Sequence, residues 1–159
     1  MMMRMWIAAV VLVVPFLAFA DGRNPSDKVK ADLKTLSGSW DATGGAAMGK
    51  EIPKEELPFR WTFQASGKAS FADRKRNTES TYAYVIDPVK MPKAIELTYE
   101  GPVAALKGAV QLGIYKVEGD QLVLCLAFPG ATEKDRPKEF DSKTGKVMLM
   151  RFARAKAEK

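Results

Sequence analysis

The chain contains no histidine and a single cysteine, Cys125. Those two counts decide most of the chemistry open to it. Without an imidazole there is no Ser-His-Asp or Cys-His nucleophile, and the common zinc sites are excluded. Cys125 lies inside the apolar run Leu122-Val123-Leu124-Cys125-Leu126-Ala127, where a buried, inert thiol is expected. Neither a Gly-x-Ser-x-Gly nor a Ser-x-x-Lys pattern is present. Gly44-Gly45-Ala46-Ala47-Met48-Gly49-Lys50 imitates the opening of a phosphate-binding loop. Glu51 follows where that chemistry needs a hydroxyl on Mg²⁺, and Pro53 and Pro58 follow where it needs a helix, so a flexible loop is expected.

The carboxylates are no more suggestive. Glu51, Glu55 and Glu56 alternate with Lys50 and Lys54 and read as a solvated loop. Glu133, Asp135, Glu139 and Asp141 lack calcium-loop spacing, and Lys134, Arg136 and Lys138 interleave with them as neutralising charges. Arg136, ahead of Pro137, is expected to fix its loop by pairing with a carboxylate. These patterns supply no catalytic residue, metal site or cofactor, and an enzyme is not expected.

What must be positioned, then, is a set of aromatic faces. Phe59, Trp61 and Phe63 alternate with Arg60, Thr62 and Gln64, and Tyr82 and Tyr84 alternate with Ala83 and Val85. Such period-2 patterns mark strands. Eight strands are expected, at 39–43, 59–64, 68–72, 81–87, 94–99, 110–117, 121–128 and 147–153. The sixth and seventh form a hairpin through Glu118-Gly119-Asp120, whose glycine suits a positive-φ position. Eight short antiparallel strands with turn signals between them make a sandwich or a barrel, and closure into a barrel removes exposed edges. Ahead of them, Asn24-Pro25-Ser26-Asp27 reads as a helix start. Val29, Leu33 and Leu36 then form one stripe, and Gly38 is the stop. This helix is expected across a barrel end or wall. Both faces of 121–128 are apolar, and the helix is the expected cover for its outside.

The first twenty residues read as a secretory signal peptide. Arg4 is the charged start, residues 5–19 are charge-free, and Ala18-Phe19-Ala20 is a cleavage site. The competing reading, an uncleaved anchor, is disfavoured by that Ala-x-Ala ending. Residues 21–159 then form a single domain, periplasmic or extracellular, and not an integral membrane protein once processed. With 25 Lys and Arg against 19 Asp and Glu, the chain is basic. In an exported protein that points to anionic envelope polymer or membrane rather than nucleic acid. Arg74-Lys75-Arg76, the densest cluster, reads as a solvated turn.

Several pieces in fixed order carry a resemblance. They are Leu36-Ser37-Gly38-Ser39-Trp40, Pro92-Lys93-Ala94-Ile95-Glu96-Leu97, and Gly113-Ile114-Tyr115 followed by Gly119-Asp120-Gln121-Leu122 and Cys125. Arg136-Pro137 with Phe140, and finally Arg151, complete the set. Together they resemble an uncharacterised family of secreted planctomycete proteins with a lipocalin-like domain. The resemblance implies a mainly β fold, an eight-stranded antiparallel lipocalin-like barrel with a short N-terminal helix. Gly38-Ser39-Trp40 is also similar to the Gly-x-Trp signature of lipocalins, in which the Trp packs against an Arg from near the last strand. Trp40 and Arg151 would take those parts, as a structural cation–π pair. Trp40 as an ordinary core aromatic is the alternative.

An eight-stranded barrel has room for packed side chains or one small ligand. The leading expectation is an exported non-catalytic protein binding a small apolar or amphipathic ligand, with Trp61, Phe63, Tyr82, Tyr84 and Tyr115 lining the chamber. The rival expectation is a filled-barrel interaction module that binds a protein or an anionic envelope polymer through its loops and basic surface.

Overall fold

The alternation of large apolar with polar residues puts one face of each strand inside, and the only closed way to bury all those faces is to curl the sheet onto itself. The computed structural model describes residues 25–143 and 146–156 and shows that solution. A helix, α1 (Pro25–Leu36), precedes β1 (Gly38–Ala47), β2 (Lys50–Ile52), β3 (Phe59–Phe63), β4 (Lys68–Asp73) and β5 (Thr78–Asp87). β6 (Ala94–Tyr99), β7 (Val110–Glu118), β8 (Gln121–Ala127) and β9 (Val147–Arg154) follow. From β3 to β9 each strand pairs antiparallel with the next. β1 pairs with β3 on one edge and with β9 along the other, which closes an eight-stranded, lipocalin-like barrel. β2 is a short ninth strand folded back on the far half of β1. No helix among the described residues is long and apolar enough to cross a membrane.

Most strand positions follow the sequence expectation, and the departures have physical reasons. β1 does not stop at Gly44-Gly45. It bulges between Ala42 and Gly44 and runs on beside β9. The missing side chain permits this, since a Cβ at Gly45 would stand 2.8 Å from the Leu149 carbonyl oxygen. β5 begins at Thr78, because the tight turn after Asp73 pairs residues 78–80 with the end of β4. In that turn Asp73 Oδ1 accepts the N–H groups of Lys75 and Arg76, and Arg74, Lys75 and Arg76 are exposed.

The cover over the outside of β8 also differs from expectation. α1 does not supply it. Val29, Leu33 and Leu36 pack into the inner core at one barrel end, with Trp40, Tyr115, Leu122 and Phe152. The outer faces of β7, β8 and β9 are covered by the loop between β8 and β9. Ala131 and Phe140 pack there on Ile114, Cys125, Ala127, Val147 and Leu149.

α1 is held across the barrel end by polar contacts. Trp40 Nε1–H donates to the Leu36 carbonyl at 2.8 Å, and Tyr115 O–H and Lys93 Nζ both donate to Asp32 Oδ2, at 2.7 and 2.6 Å. The cation over Trp40 is Arg154, 4.1 Å from the ring, and not Arg151. In β9 the residue opposite Trp40 is Arg154, whereas Arg151 lies three positions back, on the outer face. There it is exposed and pairs with Glu51. Arg154 also donates to the carbonyls of Thr35 and Ser37, the last turn of α1 and the residue after it.

Candidate functional site

The five aromatic candidates all belong to the inner face, and four of them meet. Trp61 stacks on Phe63 at 5.3 Å and meets Tyr82 at 5.1 Å, while Phe63 meets Tyr84 edge-on at 5.2 Å. Phe71 and Tyr99 extend the cluster from either side. Tyr115 sits apart, under α1. The phenols are committed inside the protein: Tyr84 O–H donates to the Gln64 carbonyl, and Tyr115 O–H to Asp32. Burial, and for Tyr115 also Asp32, pushes their pKa values above the ordinary tyrosine value, so neither is a phenolate near neutral pH.

These rings fill the barrel. Trp61 and Tyr84 are 4 % exposed and Phe63 and Tyr115 1 %. A small cavity of about 40 Å³ lies at the barrel end away from α1, against Tyr82, Tyr99, Leu106 and Gln111. It is little larger than the roughly 30 Å³ that one water occupies in the liquid.

Substantial open volume lies elsewhere, in a basin of about 820 Å³ formed by the β8–β9 loop on the outside of the barrel. Its keystone is Arg136, whose side chain is 8 % exposed. Nη1 donates to the Ile95 and Gly113 carbonyls at 3.1 and 2.9 Å, Nη2 to Glu96 and Glu133, and Nε to Glu133 at 2.8 Å. The expected carboxylate partner is thus two carboxylates and two strand carbonyls. Glu133, through its hydrogen bond from Arg136, is held below the usual carboxylate range. Gly113 lets β7 and β8 approach closely, since a Cβ there would strike Leu126 Cδ2 and the Cys125 carbonyl at 2.5 and 2.6 Å. At the other signature positions, Gly38 and Gly119 have positive φ, and Asp120 shares the β7–β8 turn with Gly119 and pairs with Arg154.

Gly44 to Lys50 is strand and hairpin, not a phosphate cradle. Glu55 and Glu56 are exposed on a single 3-10 turn. Cys125 is fully buried beneath the β8–β9 loop, its Sγ–H pointing to the Asp141 carbonyl, and burial pushes its pKa up to about 11. No group of three or more potential metal ligands occurs among the described residues.

Within 133–141 the opposite charges meet in one ion pair, Glu133 with Arg136, and the other acids are hydrogen-bonded by neutral donors or lie beside the lysines. Asp135 accepts hydrogen bonds from Thr132 N–H and O–H, Glu133 goes to Arg136, and Asp141 accepts the Lys143 N–H. Lys134, Lys138 and Lys146 line the basin beside Asp135, Glu139 and Asp141, so the two signs are balanced there. Sequence reasoning missed the basin because its keystone pairs across strands: Arg136 reaches back to Glu96, 40 positions away. No protein-family model matches the chain, and no curated protein matches it.

Proposed function

We propose that the protein is an exported, non-catalytic binding module that works through its outer loops and surface, on a barrel filled by its own side chains. The observation that carries this reading is the burial of Trp61, Phe63, Tyr84 and Tyr115 at 4 % or less, with neither described cavity touching them. A ligand chamber needs roughly 300–1,000 Å³ beside its lining residues. Open volume of that size lies instead under the β8–β9 loop. Of the two sequence expectations, the interaction module is therefore the better supported, with a protein or an anionic envelope polymer as partner. Export is supported by Arg4, the apolar run after it and Ala18-Phe19-Ala20, which lie outside the described residues. Kinship with the planctomycete family rests on the motif order given above.

Native mass spectrometry of the protein purified from its producer tests this reading. A bare chain mass is expected. An apolar small-molecule adduct that disappears in Trp61→Ala would overturn it in favour of a carrier.

A further inference from the structure

At the barrel end that α1 covers, two apolar side chains are held out in water. Met91 is 96 % exposed and Val89 57 %, both in the loop between β5 and β6, residues 88–93. The loop is pinned along its length and cannot turn them inward. Asp87 Oδ1 accepts the Val89 N–H at 3.1 Å, and Lys90 Nζ pairs with Glu133 at 3.5 Å. Lys93 Nζ pairs with Asp32 of α1 at 2.6 Å, and the Lys93 carbonyl accepts the Tyr115 N–H at 2.9 Å. Pro88 and Pro92 restrict φ on either side of the tip. An apolar tip fixed in this way stays wet unless a partner covers it.

The course of the chain says what lies on this side. The last turn of α1 meets Trp40 and Arg154 at the β1–β9 seam. From there the helix crosses the barrel end to Lys93 and touches β5, so its first turn lies on the side of the β5–β6 loop. The apolar run 5–19 ends at Ala20, five residues before Pro25 and outside the described residues. At no more than about 3.6 Å per residue, that connection spans at most about 18 Å. While the run sits in a bilayer, the start of α1 is therefore held within that distance of it. Met48, Val103 and Leu106, which are also exposed, lie on loops at the opposite barrel end. Two side chains on a loop tip are too little for a stable protein partner, which needs about 800 Å² from each side. A lipid interface accepts such a tip. Lys90 and Lys93 are already paired, so charge selects no anion here and apolar contact must carry the binding.

We propose that the β5–β6 loop is a membrane-contact site. Val89 and Met91 enter the interfacial layer of a bilayer, beside the start of α1, and keep the protein at the lipid surface. Shallow burial of two side chains is a single weak anchor, so the attachment is reversible once the apolar run is removed. The proposal goes beyond the surface-binding reading above and rests on its filled barrel. With no chamber to load, the protein docks on lipid without withdrawing a lipid molecule.

Co-sedimentation with sucrose-loaded vesicles tests this, using the protein purified from its producer. One set of vesicles is phosphatidylcholine, and a second carries added phosphatidylglycerol. Binding to both is expected, little changed by salt. Val89→Ser with Met91→Gln should partition roughly tenfold more weakly. Val103→Ser with Leu106→Gln, at the opposite end, should partition as the wild type does. Near-UV circular dichroism checks that both variants are folded. Absent binding to phosphatidylcholine, equal binding by the folded Val89/Met91 variant, or loss of binding in the opposite-end variant overturns the proposal. Binding confined to phosphatidylglycerol and abolished by salt overturns it in favour of a polyanion surface. A dimer in sedimentation velocity that the Val89/Met91 variant abolishes overturns it in favour of a second copy of the chain. Lipid carried into the supernatant with the protein overturns the filled-barrel reading instead.

Discussion

Arg154→Ala is the substitution that most directly tests how the barrel end is sealed. Three interactions vanish together, besides the exposed pair to Asp120, 86 % exposed, which contributes little. The guanidinium lies 4.1 Å from the Trp40 ring, a contact worth about 1 kcal/mol where half-shielded from water. It is a cation at the C-terminus of α1, worth about 0.5 kcal/mol. It donates to the Thr35 and Ser37 carbonyls at 3.0 Å each. With the side chain 34 % exposed, these two bonds deserve about 0.5 kcal/mol apiece rather than the full value of a buried charged bond. The expected loss is about 2–3 kcal/mol. Arg151→Ala removes one exposed pair to Glu51, at 3.2 Å with partners 46 % and 71 % exposed, and should cost under about 0.5 kcal/mol. Urea unfolding followed by tryptophan fluorescence reads both. With a slope of about 1–3 kcal/mol per molar urea, the Arg154 midpoint should fall by about 1–2 M and the Arg151 midpoint by a small fraction of that. Repeating Arg154→Ala on a Trp40→Leu background should shrink its effect by about 1 kcal/mol, the coupling between the two side chains. Equal losses for the two arginines, or no coupling to Trp40, would refute the assignment of Arg154 as the sealing cation.

Other expectations follow from the same contacts. Arg136→Met should cost about 2–3 kcal/mol, because a buried charged donor set is removed while Glu96 and Glu133 regain water; amide exchange should rise in residues 129–143 and not in β3 to β5, and unchanged exchange in 129–143 would count against the keystone role. Cys125, with its thiol pushed up to about 11, should resist Ellman's reagent at mildly alkaline pH in the folded protein and react at once in urea; fast native labelling would contradict its burial. Asp41 is held below the ordinary aspartate value by the hydrogen bond from Arg60, against opposing burial, with the charges of Arg60 and Arg74 adding to the lowering. A lowered folded-state pKa stabilises above the unfolded value, and that contribution is lost as pH falls through the folded value. Asp41→Asn should therefore be less stable than wild type by about 1 kcal/mol near neutrality, with the gap closing in acid; a gap that widens in acid would reverse the sign of the argument.

Local pattern sufficed for much of this architecture. The alternation in 59–63 and 94–99, the Gly119 turn and the Pro25 helix start each encode their element within a few residues, and the structure follows them. What escaped was set by partners far along the chain. Gly44-Gly45 reads as a stop, yet Gly45 is the point where β9 comes close enough to exclude a side chain. Arg151 and Arg154 are indistinguishable as basic residues of one strand, and only the pairing of Trp40 with Arg154 decides which one seals the end. Likewise the apolar outer face of β8 announces that it is covered, but the choice of cover belongs to Phe140 and Ala131, on a segment whose charges disguise it as a solvated loop. The basin was hidden for the same reason.

The pairing of β1 with β9 has a consequence for how the chain reaches this state. Ser37 and Arg154, joined by a hydrogen bond at the seam, stand 117 positions apart. Closing so long a loop carries a large entropic cost before any contact repays it, so the seam should form late and the protein should fold slowly for its size. Until β9 docks, β1 and β8 each present an unpaired edge, and the outer face of β8 lacks its cover. Such edges recruit strands from other molecules. The hazard for this molecule is therefore one of timing: the interval before the last strand arrives is when aggregation competes with folding, however stable the finished barrel is.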